Sequence, residues 1–400
     1  MESILAPASP RTQALFLLSL ARNFHPPQHD RVVTQLGSLE ALLEASEDEL
    51  RRLELTGGQL QRLLDVRASA DPARALERLA AQGIQVVGYG DEAYPELLAP
   101  LPDAPLLLYC KGDTSIMRSH GVAIVGSRKC SETGLRLARE FGRDLAEVGI
   151  PVVSGLALGI DGAAHSGALD AGGPTVAVLG CGVDTIYPPE HHELYARLCE
   201  QALVISEYAP GTEPRKEHFP QRNRIISGLS RGVLVVEAAL GSGALITARQ
   251  ALEQGREVFA VPGPVTSPFT KGTHHLIKTG NAKLVENVND ILIEFGTNRA
   301  ALLKERFGAA SKAGVAPAQP EAAIESSLET VGRAGPPPAA SNNIPPQEQA
   351  ILEAISYEGT HINDVVRKLG ISTPECIAQL TMLEIRGLIC ASSGGYYMRL

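Results

Sequence analysis

The sequence predicts an α/β protein: a Rossmann-like domain with a mostly parallel sheet, flanked by a small N-terminal helical domain and a C-terminal winged helix. Short β-branched runs such as 233–236 recur along the chain, and amphipathic segments such as 134–149 lie between them. Continuous apolar strands that alternate with helices are typical of parallel sheets covered on both faces. Leucine-rich and short helical stretches at the two ends of the chain predict the flanking domains.

Four segments follow from this division. Residues 1–80 are predicted to form the helical domain, 81–296 the Rossmann domain, 297–346 a flexible linker rich in Ala, Pro, Gly and Ser, and 347–400 the winged helix. The strands predicted for the Rossmann domain are Val122–Val125, Pro151–Val153, Thr175–Leu179, Leu203–Ser206, Val233–Val236, Val258–Val261 and Lys283–Val285.

The helical domain resembles a SAM-like or helix-hairpin-helix module. Ser46 is predicted to cap a helix with Glu49 three residues later, and two short helices are predicted to meet at Gly57 and Gly58. Such a hairpin can bind DNA phosphates through backbone amides, or it can be a structural or protein-contact bundle. The acidic residues at 47–49 favour the second interpretation.

The winged-helix segment is likewise compatible with DNA binding or with a protein contact. Its pattern is that of three short helices and a two-stranded wing around Gly394 and Gly395. Residues 347–400 carry four Arg and Lys against six Asp and Glu. Phosphates would repel such a surface, so the composition favours a protein contact over the reading of duplex DNA.

Composition limits the classes of function. The formal net charge of −9 gives no general affinity for polyanions, so a nucleic-acid site needs a local concentration of cations. The six cysteines show no metal-ligand or disulfide spacing, which fits a reducing cytoplasm. Neither a secretory signal nor an apolar run of membrane-spanning length is visible. We therefore expect a cytoplasmic protein without a membrane span.

Glycine- and hydroxyl-rich turns follow several predicted strands. The carboxyl ends of parallel strands meet at one sheet edge, where helix N-termini favour anions. One such turn is weak evidence, but three turns at one edge predict a phosphate-binding site. The residues assigned to it are Gly126, Ser127, Arg128, Ser154, Gly155, Gly241, Ser242, Gly243 and Thr247.

A basic cluster with an aromatic residue precedes the strand at 233–236. Between Arg215 and Arg231 the cations are opposed by Glu217 alone, and Phe219 lies among them. Such a run is often only a solvated face. Cations that bind phosphates beside a ring that stacks a base match single-stranded nucleic acid better. The candidate residues are Lys216, Phe219, Arg222, Asn223 and Arg224.

No complete catalytic set is found. Asp161 and His165 lie four apart on one helix face and could form a metal or acid–base pair, but a capping and hydrogen-bonding pair is favoured because no third ligand has a diagnostic spacing. The segment 122–130 is similar to a P-loop but lacks its Gly-Lys-Ser/Thr ending, so it does not support ATP hydrolysis. We expect neither enzymatic activity nor a cofactor.

Five blocks of residues 97–295 resemble the DprA/Smf family, the DNA-processing proteins of bacterial transformation. They are VAIVGSRKCSETG, VSGLALGIDGAAHSGAL, GVDTIYPPEHHELY, HFPQRNRIISGLSRGVLVVEA and GSGALITARQALEQGREVFAVPGPV. The resemblance implies an extended Rossmann fold that binds single-stranded DNA without sequence preference or ATP hydrolysis. It also implies a homodimer that loads RecA onto strands coated with single-stranded-DNA-binding protein.

The same resemblance assigns roles to individual residues. It implies that Arg128 and Lys216 bind phosphates, that Phe219 contacts a base, and that Arg222 to Arg224 lie beside the same pocket. Two alternatives remain at this point. The turn at 241–243 also resembles nucleoside-monophosphate phosphoribohydrolases, although the helix after it lacks their catalytic glutamate. A pure adaptor with a vestigial pocket would bind RecA but retain no oligonucleotide.

Overall fold

The computed structural model describes residues 8–21 and 23–304, and then residues 346–355, 360–372, 376, 379–380, 383, 389–392 and 396–399. The chain divides into two compact units, Met1–Ala318 and Gln319–Leu400. Most of the predicted linker and much of the third helix predicted for the winged-helix segment lie outside the described residues. No helix in the described part of the chain is both long and apolar enough to cross a bilayer.

Five α-helices begin the first unit. The predicted cap at Ser46 is confirmed, because its hydroxyl accepts from the Glu49 amide while the Glu49 carboxylate accepts from the Ser46 amide. Thr56 caps the next helix, so Gly57 and Gly58 form its first turn rather than a hairpin. The helices are α1 (Pro10–Ala21), α2 (Pro26–Leu36), α3 (Glu47–Arg51), α4 (Gly57–Ser69) and α5 (Pro72–Ala81), with a 3-10 turn at Glu40–Leu43.

The apolar core of these helices continues into the sheet. Leu15, Leu42 and Leu63 are fully buried in one cluster with Leu107 and Tyr109 of a sheet strand. Helical leucines at three- and four-residue spacing thus bury their faces on each other and on the sheet. Helices α1 to α5 are therefore packed against the Rossmann domain, and the exact boundary between the two stays a proposal.

Nine strands form a single mixed sheet. The order across the sheet is β1-β2-β6-β5-β4-β3-β7-β8-β9, with β1 and β2 antiparallel to their neighbours and the others parallel. The strands are β1 (Gln85–Gly88), β2 (Leu107–Gly112), β3 (Gly121–Val125), β4 (Val152–Ser154), β5 (Thr175–Val178), β6 (Leu203–Ser206), β7 (Ser230–Val235), β8 (Glu257–Ala260) and β9 (Lys283–Leu284).

Helices cover both faces of this sheet, as predicted for buried parallel strands. Helices α6 (Glu132–Glu147), α7 (Ile160–Asp170), α8 (His192–Gln201) and α12 (Val288–Glu294) pack on one face. The other face is covered by α9 (His218–Gly228), α10 (Gly243–Glu253) and α11 (Lys271–Lys278). The predicted α/β class with an extended, mostly parallel sheet is confirmed.

The second unit contains helices at Pro346–Ala354 and Ile362–Leu369 and a three-stranded antiparallel sheet. Its strands are β10 (Thr360–His361), β11 (Ile389–Ser392) and β12 (Tyr396–Arg399). Strands β11 and β12 form the predicted hairpin, whose turn lies outside the described residues. Ile351, Val365, Leu380 and Ile389 are buried in its apolar cluster.

Candidate nucleic-acid interface

The candidate site lies at the carboxyl edge of the parallel strands. The loops after β3, β4 and β5 and the first turn of α9 meet around a small pocket of about 50 Å³. Residues on its wall include Arg128, Gly155, Tyr187, Phe219 and Arg222. Three parts of the predicted site, which are 27 to 91 positions apart in the sequence, are thus brought together.

Phe219 lies at the centre of this pocket. Its ring packs against the Tyr187 ring, with centroids 5.3 Å apart, and the Arg128 guanidinium carbon lies 5.3 Å from its centroid. Gly180 allows this placement, because a Cβ there would lie 2.9 Å from the Phe219 ring. A half-buried ring next to an exposed arginine combines an aromatic side chain, of the kind that contacts bases, with a cation that can bind a phosphate.

Exposed cations lie at the start of α9, next to Phe219. Arg215 and Lys216 precede the helix, and both are exposed, as is Arg128. No ion pair of Arg128, Arg215 or Lys216 is found among the described residues. The formal charge of these three side chains is therefore available to an external anion.

Arg222 points into the protein, which differs from the phosphate contact predicted for it. Its side chain is 3% exposed and donates to the carbonyls of Gly155, at 3.0 Å, and Val178, and to the Asn223 side chain at 3.1 Å. Burial lowers the pKa of Arg222 to about 10, which leaves it charged at neutral pH. Arg222 holds the pocket wall together instead of binding a phosphate.

Asp161 and His165 belong to the same buried network. The Asp161 carboxylate accepts from the Gly155 amide at 3.1 Å, and burial raises its pKa although the charge of Arg222 opposes the rise. His165 lies 2.7 Å from the Thr175 hydroxyl, and burial lowers its pKa to about 3. Both side chains are buried and hydrogen-bonded to other residues, as predicted, but the predicted helix cap is not seen, because the N-cap of α7 is Gly159.

Arg224 is also withdrawn from the surface. Its guanidinium makes a bidentate pair with the Glu207 carboxylate, at 3.0 and 2.7 Å, and contacts Asp103 at 3.2 Å. Two carboxylates neutralise the side chain, and only 11% of it is exposed. The phosphate contact predicted for Arg224 is therefore replaced by a structural role.

The turn after β3 is closed by packing. A Cβ at Gly126 would lie 2.5 Å from Ile160, and the Ser127 amide donates to the Glu237 carbonyl at 2.8 Å. The Glu237 carboxylate accepts from the amide and hydroxyl of Ser131, the N-cap of α6. This internal anion occupies the helix terminus that the sequence suggested for a phosphate, and Arg128 is an exposed residue of this turn.

The other two predicted turns differ from each other. Ser154 is fully buried and donates to the Ile124 carbonyl, and a Cβ at Gly155 would meet Arg222 at 2.5 Å. The third turn is open: Gly241 and Gly243 are exposed, Gly241 has φ +83°, and Ser242 caps α10. Thr247, one turn into α10, is 1% exposed and cannot reach a ligand.

Sequence reasoning missed Tyr187 and Leu158. Tyr187 lies in the loop after β5, in the block GVDTIYPPEHHELY that carried the resemblance, but nothing in that block shows that its ring reaches Phe219. Leu158, which is 36% exposed, follows β4 and adds an apolar wall. The sequence carries no specific signal for either residue, because Tyr187 lies nine residues after the end of β5 and Leu158 four residues after the end of β4.

The geometry does not support phosphoribohydrolase chemistry. Helix α10 follows the turn in question, and its first turn contains no acidic residue. Among the residues that the structure describes, no group of three His, Cys, Asp or Glu side chains could hold a metal ion.

Comparison with known proteins agrees with this architecture. The family model for the DNA recombination-mediator protein A matches residues 85–296, and that for the DprA winged helix domain matches residues 335–395. Protein Smf of Escherichia coli K12 is 39% identical over 355 residues, which are 87% of this chain and 86% of that protein.

A second organism provides both a relative and a structure. The DNA processing protein DprA of Streptococcus pneumoniae is 48% identical over 205 residues, which are 51% of this chain and 72% of that one. The X-ray structure of DprA from that organism matches with a TM-score of 0.61 at 36% identity, covering 72% of this chain and 98% of that chain. This chain therefore belongs to the DprA family of DNA-processing proteins.

Proposed function

We propose that this protein binds single-stranded DNA at the Phe219 pocket, without sequence preference and without catalysis. The observation that carries the proposal is the half-buried Phe219 ring, which packs against Tyr187 and has the Arg128 guanidinium carbon 5.3 Å from its centroid, with the exposed Lys216 three residues earlier in the chain. Aromatic stacking accepts any base, and cations bind the backbone of any strand. A chain with net charge −9 that leaves these cations unpaired has a local site for a polyanion.

A titration with oligonucleotides tests this function. Labelled single-stranded and duplex DNA of equal length are mixed with the full chain at 50 and 200 mM salt, and the bound fraction is measured by gel shift. We expect preferential retention of the single strand and a steep loss of affinity at the higher salt concentration. Equal affinity for the duplex, or binding insensitive to salt, would contradict the proposal.

The contribution of the exposed cations can be measured separately. Arg128→Ala or Lys216→Ala should weaken single-strand binding by about 1–3 kcal/mol and reduce the slope of log affinity against log salt by about 0.7. Arg143→Ala is the matched control, because Arg143 is exposed on α6 and already paired with Asp144. A slope that stays unchanged in a folded Arg128 or Lys216 variant would remove that residue from the site.

We further propose that the protein protects the strand and loads RecA onto it in the cytoplasm, also from strands coated with single-stranded-DNA-binding protein, during natural transformation and recombination. Membership of a DNA recombination-mediator family supports this role. The test is the lag before RecA filaments form on coated single strands, measured with and without the protein. A lag that the protein leaves unchanged would contradict the loading role.

A homodimer is part of the proposal, and the sheet edge at β9 is our candidate interface. Leu284 in this edge strand is 50% exposed, and Ile293 of α12 is 63% exposed. The ion pair between Lys283 and Glu294, which are the chain neighbours of Leu284 and Ile293, connects β9 to α12. Among the described residues no strand pairs with the outer edge of β9, and an edge strand with exposed apolar side chains favours association.

Light scattering on the full chain tests this interface. We expect twice the mass of one chain for the natural sequence and for the control Leu252→Arg, which changes an exposed leucine on α10. Leu284→Arg should give the mass of one chain, because it places a charge in the proposed contact. A dimer that survives this substitution would place the interface elsewhere.

A further inference from the structure

A second and larger cavity, of about 890 Å³, lies against a different face of α9. Its walls come from the N-terminal helices, the loop after β6 and α9 itself. Phe219 faces the small pocket, whereas His218 and Gln221 of the same helix face this groove. Arg215, just before α9, also lines this groove, and the exposed Lys216 follows it in the chain.

An aromatic surface lines the groove. The rings of Tyr208 and His218 are stacked at a centroid distance of 4.2 Å and an interplanar angle of 19°. His218 is buried behind Tyr208, which is partly exposed. This arrangement matches the other pocket in its chemistry, because a supported ring is offered to a planar ligand.

The charges in the groove leave cations available. Asp103 and Glu207 are both occupied by Arg224. Arg62 from α4 and Arg215 are exposed on the wall, and the Arg62 Nε donates to the Ala21 carbonyl at 3.0 Å, which leaves its charge unpaired by an acid among the described residues. The acidic side chain of the lining that is not engaged with Arg224 is Glu217. The groove can therefore take a ligand with one or two phosphates but is too evenly charged for a dense polyanion.

Two polar atoms of the lining have no hydrogen-bond partner among the described residues. They are the Nδ1 of His25, from the N-terminal helices, and the Oε1 of Gln250, from α10. Both atoms are buried, and an unsatisfied buried polar atom costs about 1–3 kcal/mol. The edges of nucleobases carry the donors and acceptors that could satisfy them.

We propose that the groove is a second subsite for the same single strand, in which a nucleobase lies on Tyr208 while the connecting backbone passes Arg215 and Lys216. This inference rests on the proposed function of the Phe219 pocket. It assigns the N-terminal helices a direct part in DNA binding, through Arg62 on one wall of the groove.

Affinity measurements on the full chain test the subsite. A labelled twelve-residue oligothymidylate should bind Tyr208→Leu at least fivefold more weakly than the natural protein, whereas Tyr208→Phe should bind normally because it keeps the ring. Arg62→Ala should lose about threefold or more. Arg74→Ala is its control, since Arg74 is exposed on α5 and does not line the groove.

Cross-linking gives a second readout that does not depend on affinity. With 5-iodouracil in the oligonucleotide, irradiation should attach DNA to peptides that contain Tyr208 and to those that contain Tyr187 or Phe219. Attachment at Tyr187 or Phe219 alone, with Tyr208→Leu and Arg62→Ala binding normally, would overturn the subsite and leave the proposed function intact.

Two other outcomes also decide the matter. Absence of binding by the natural protein would overturn both proposals together. Titration with thymidine monophosphate alone distinguishes a strand subsite from a site for a free nucleotide. The strand subsite would be overturned if the natural protein bound the nucleotide saturably, Tyr208→Leu abolished that binding, and the same variant bound the oligonucleotide with unchanged affinity.

Discussion

Replacing Arg222 with leucine should lower the free energy of unfolding by about 3–5 kcal/mol. The substitution removes the donor for the Gly155 and Val178 carbonyls, and it leaves the buried Asp161 without the charge that opposes the rise in its pKa. Loss of one partner from a buried charged network leaves the other desolvated and uncompensated. The measurement is a denaturant titration at pH 7 that compares the variant with the natural protein.

The control for this prediction is Arg215→Leu. Arg215 lies just before α9 and is exposed, so water solvates its charge. Its replacement should therefore change the free energy of unfolding by no more than about 0.5 kcal/mol. If the two variants were equally stable and Arg222→Leu instead lost DNA affinity like Lys216→Ala, then Arg222 would contact the strand directly and the internal role would be wrong.

Sequence reasoning recovered the parallel core of the sheet because buried parallel strands are short apolar runs. All seven predicted strands are present, within three residues at each end. It missed β1 and β2, which are antiparallel and lie on one side of the sheet. The segment of β1 alternates too briefly to be recognised, and β2 follows a proline-rich stretch that indicates a loop.

The site was predicted less completely, because helical spacing does not tell which way a cation points. Arg222 and Arg224 are two positions apart on α9 and therefore face different sides. One meets the carbonyls of the pocket, and the other meets Glu207, 17 positions earlier in the chain. Partners so distant in sequence decide which arginines stay exposed, and a single chain carries no local signal for them.

The glycines show the same limit. Gly126 and Gly155 were assigned to phosphate binding, but their missing side chains make room for Ile160 and Arg222. Only the turn at 241–243 keeps open space around its glycines. A glycine after a buried strand thus has two physical causes, close packing or close ligand approach, and only the tertiary neighbours distinguish them.

Phe219→Ala should produce the largest loss of DNA affinity of any single substitution in the pocket, about 2–3 kcal/mol. In the proposed site the ring supports a base. The ring also lies 5.3 Å from the Arg128 guanidinium carbon and packs on Tyr187, so its removal should weaken stacking and free Arg128 at the same time. Unlike a change of cation, it should leave the salt slope nearly unchanged, because no charge is removed.

Comparison with two other variants makes this prediction specific. Phe219→Tyr keeps the stacking surface and should retain most of the affinity. Phe219→Ala combined with Arg128→Ala should lose less than the sum of the single losses, because the cation above the ring is already displaced in the single variant. Fluorescence anisotropy at two salt concentrations is measured for the natural protein, Phe219→Ala, Arg128→Ala, the double variant and Phe219→Tyr. Additive losses of affinity would show that Arg128 and Phe219 act on separate parts of the strand. If Phe219→Tyr lost as much affinity as Phe219→Ala, the ring would contribute through packing in the pocket and not through stacking on a base.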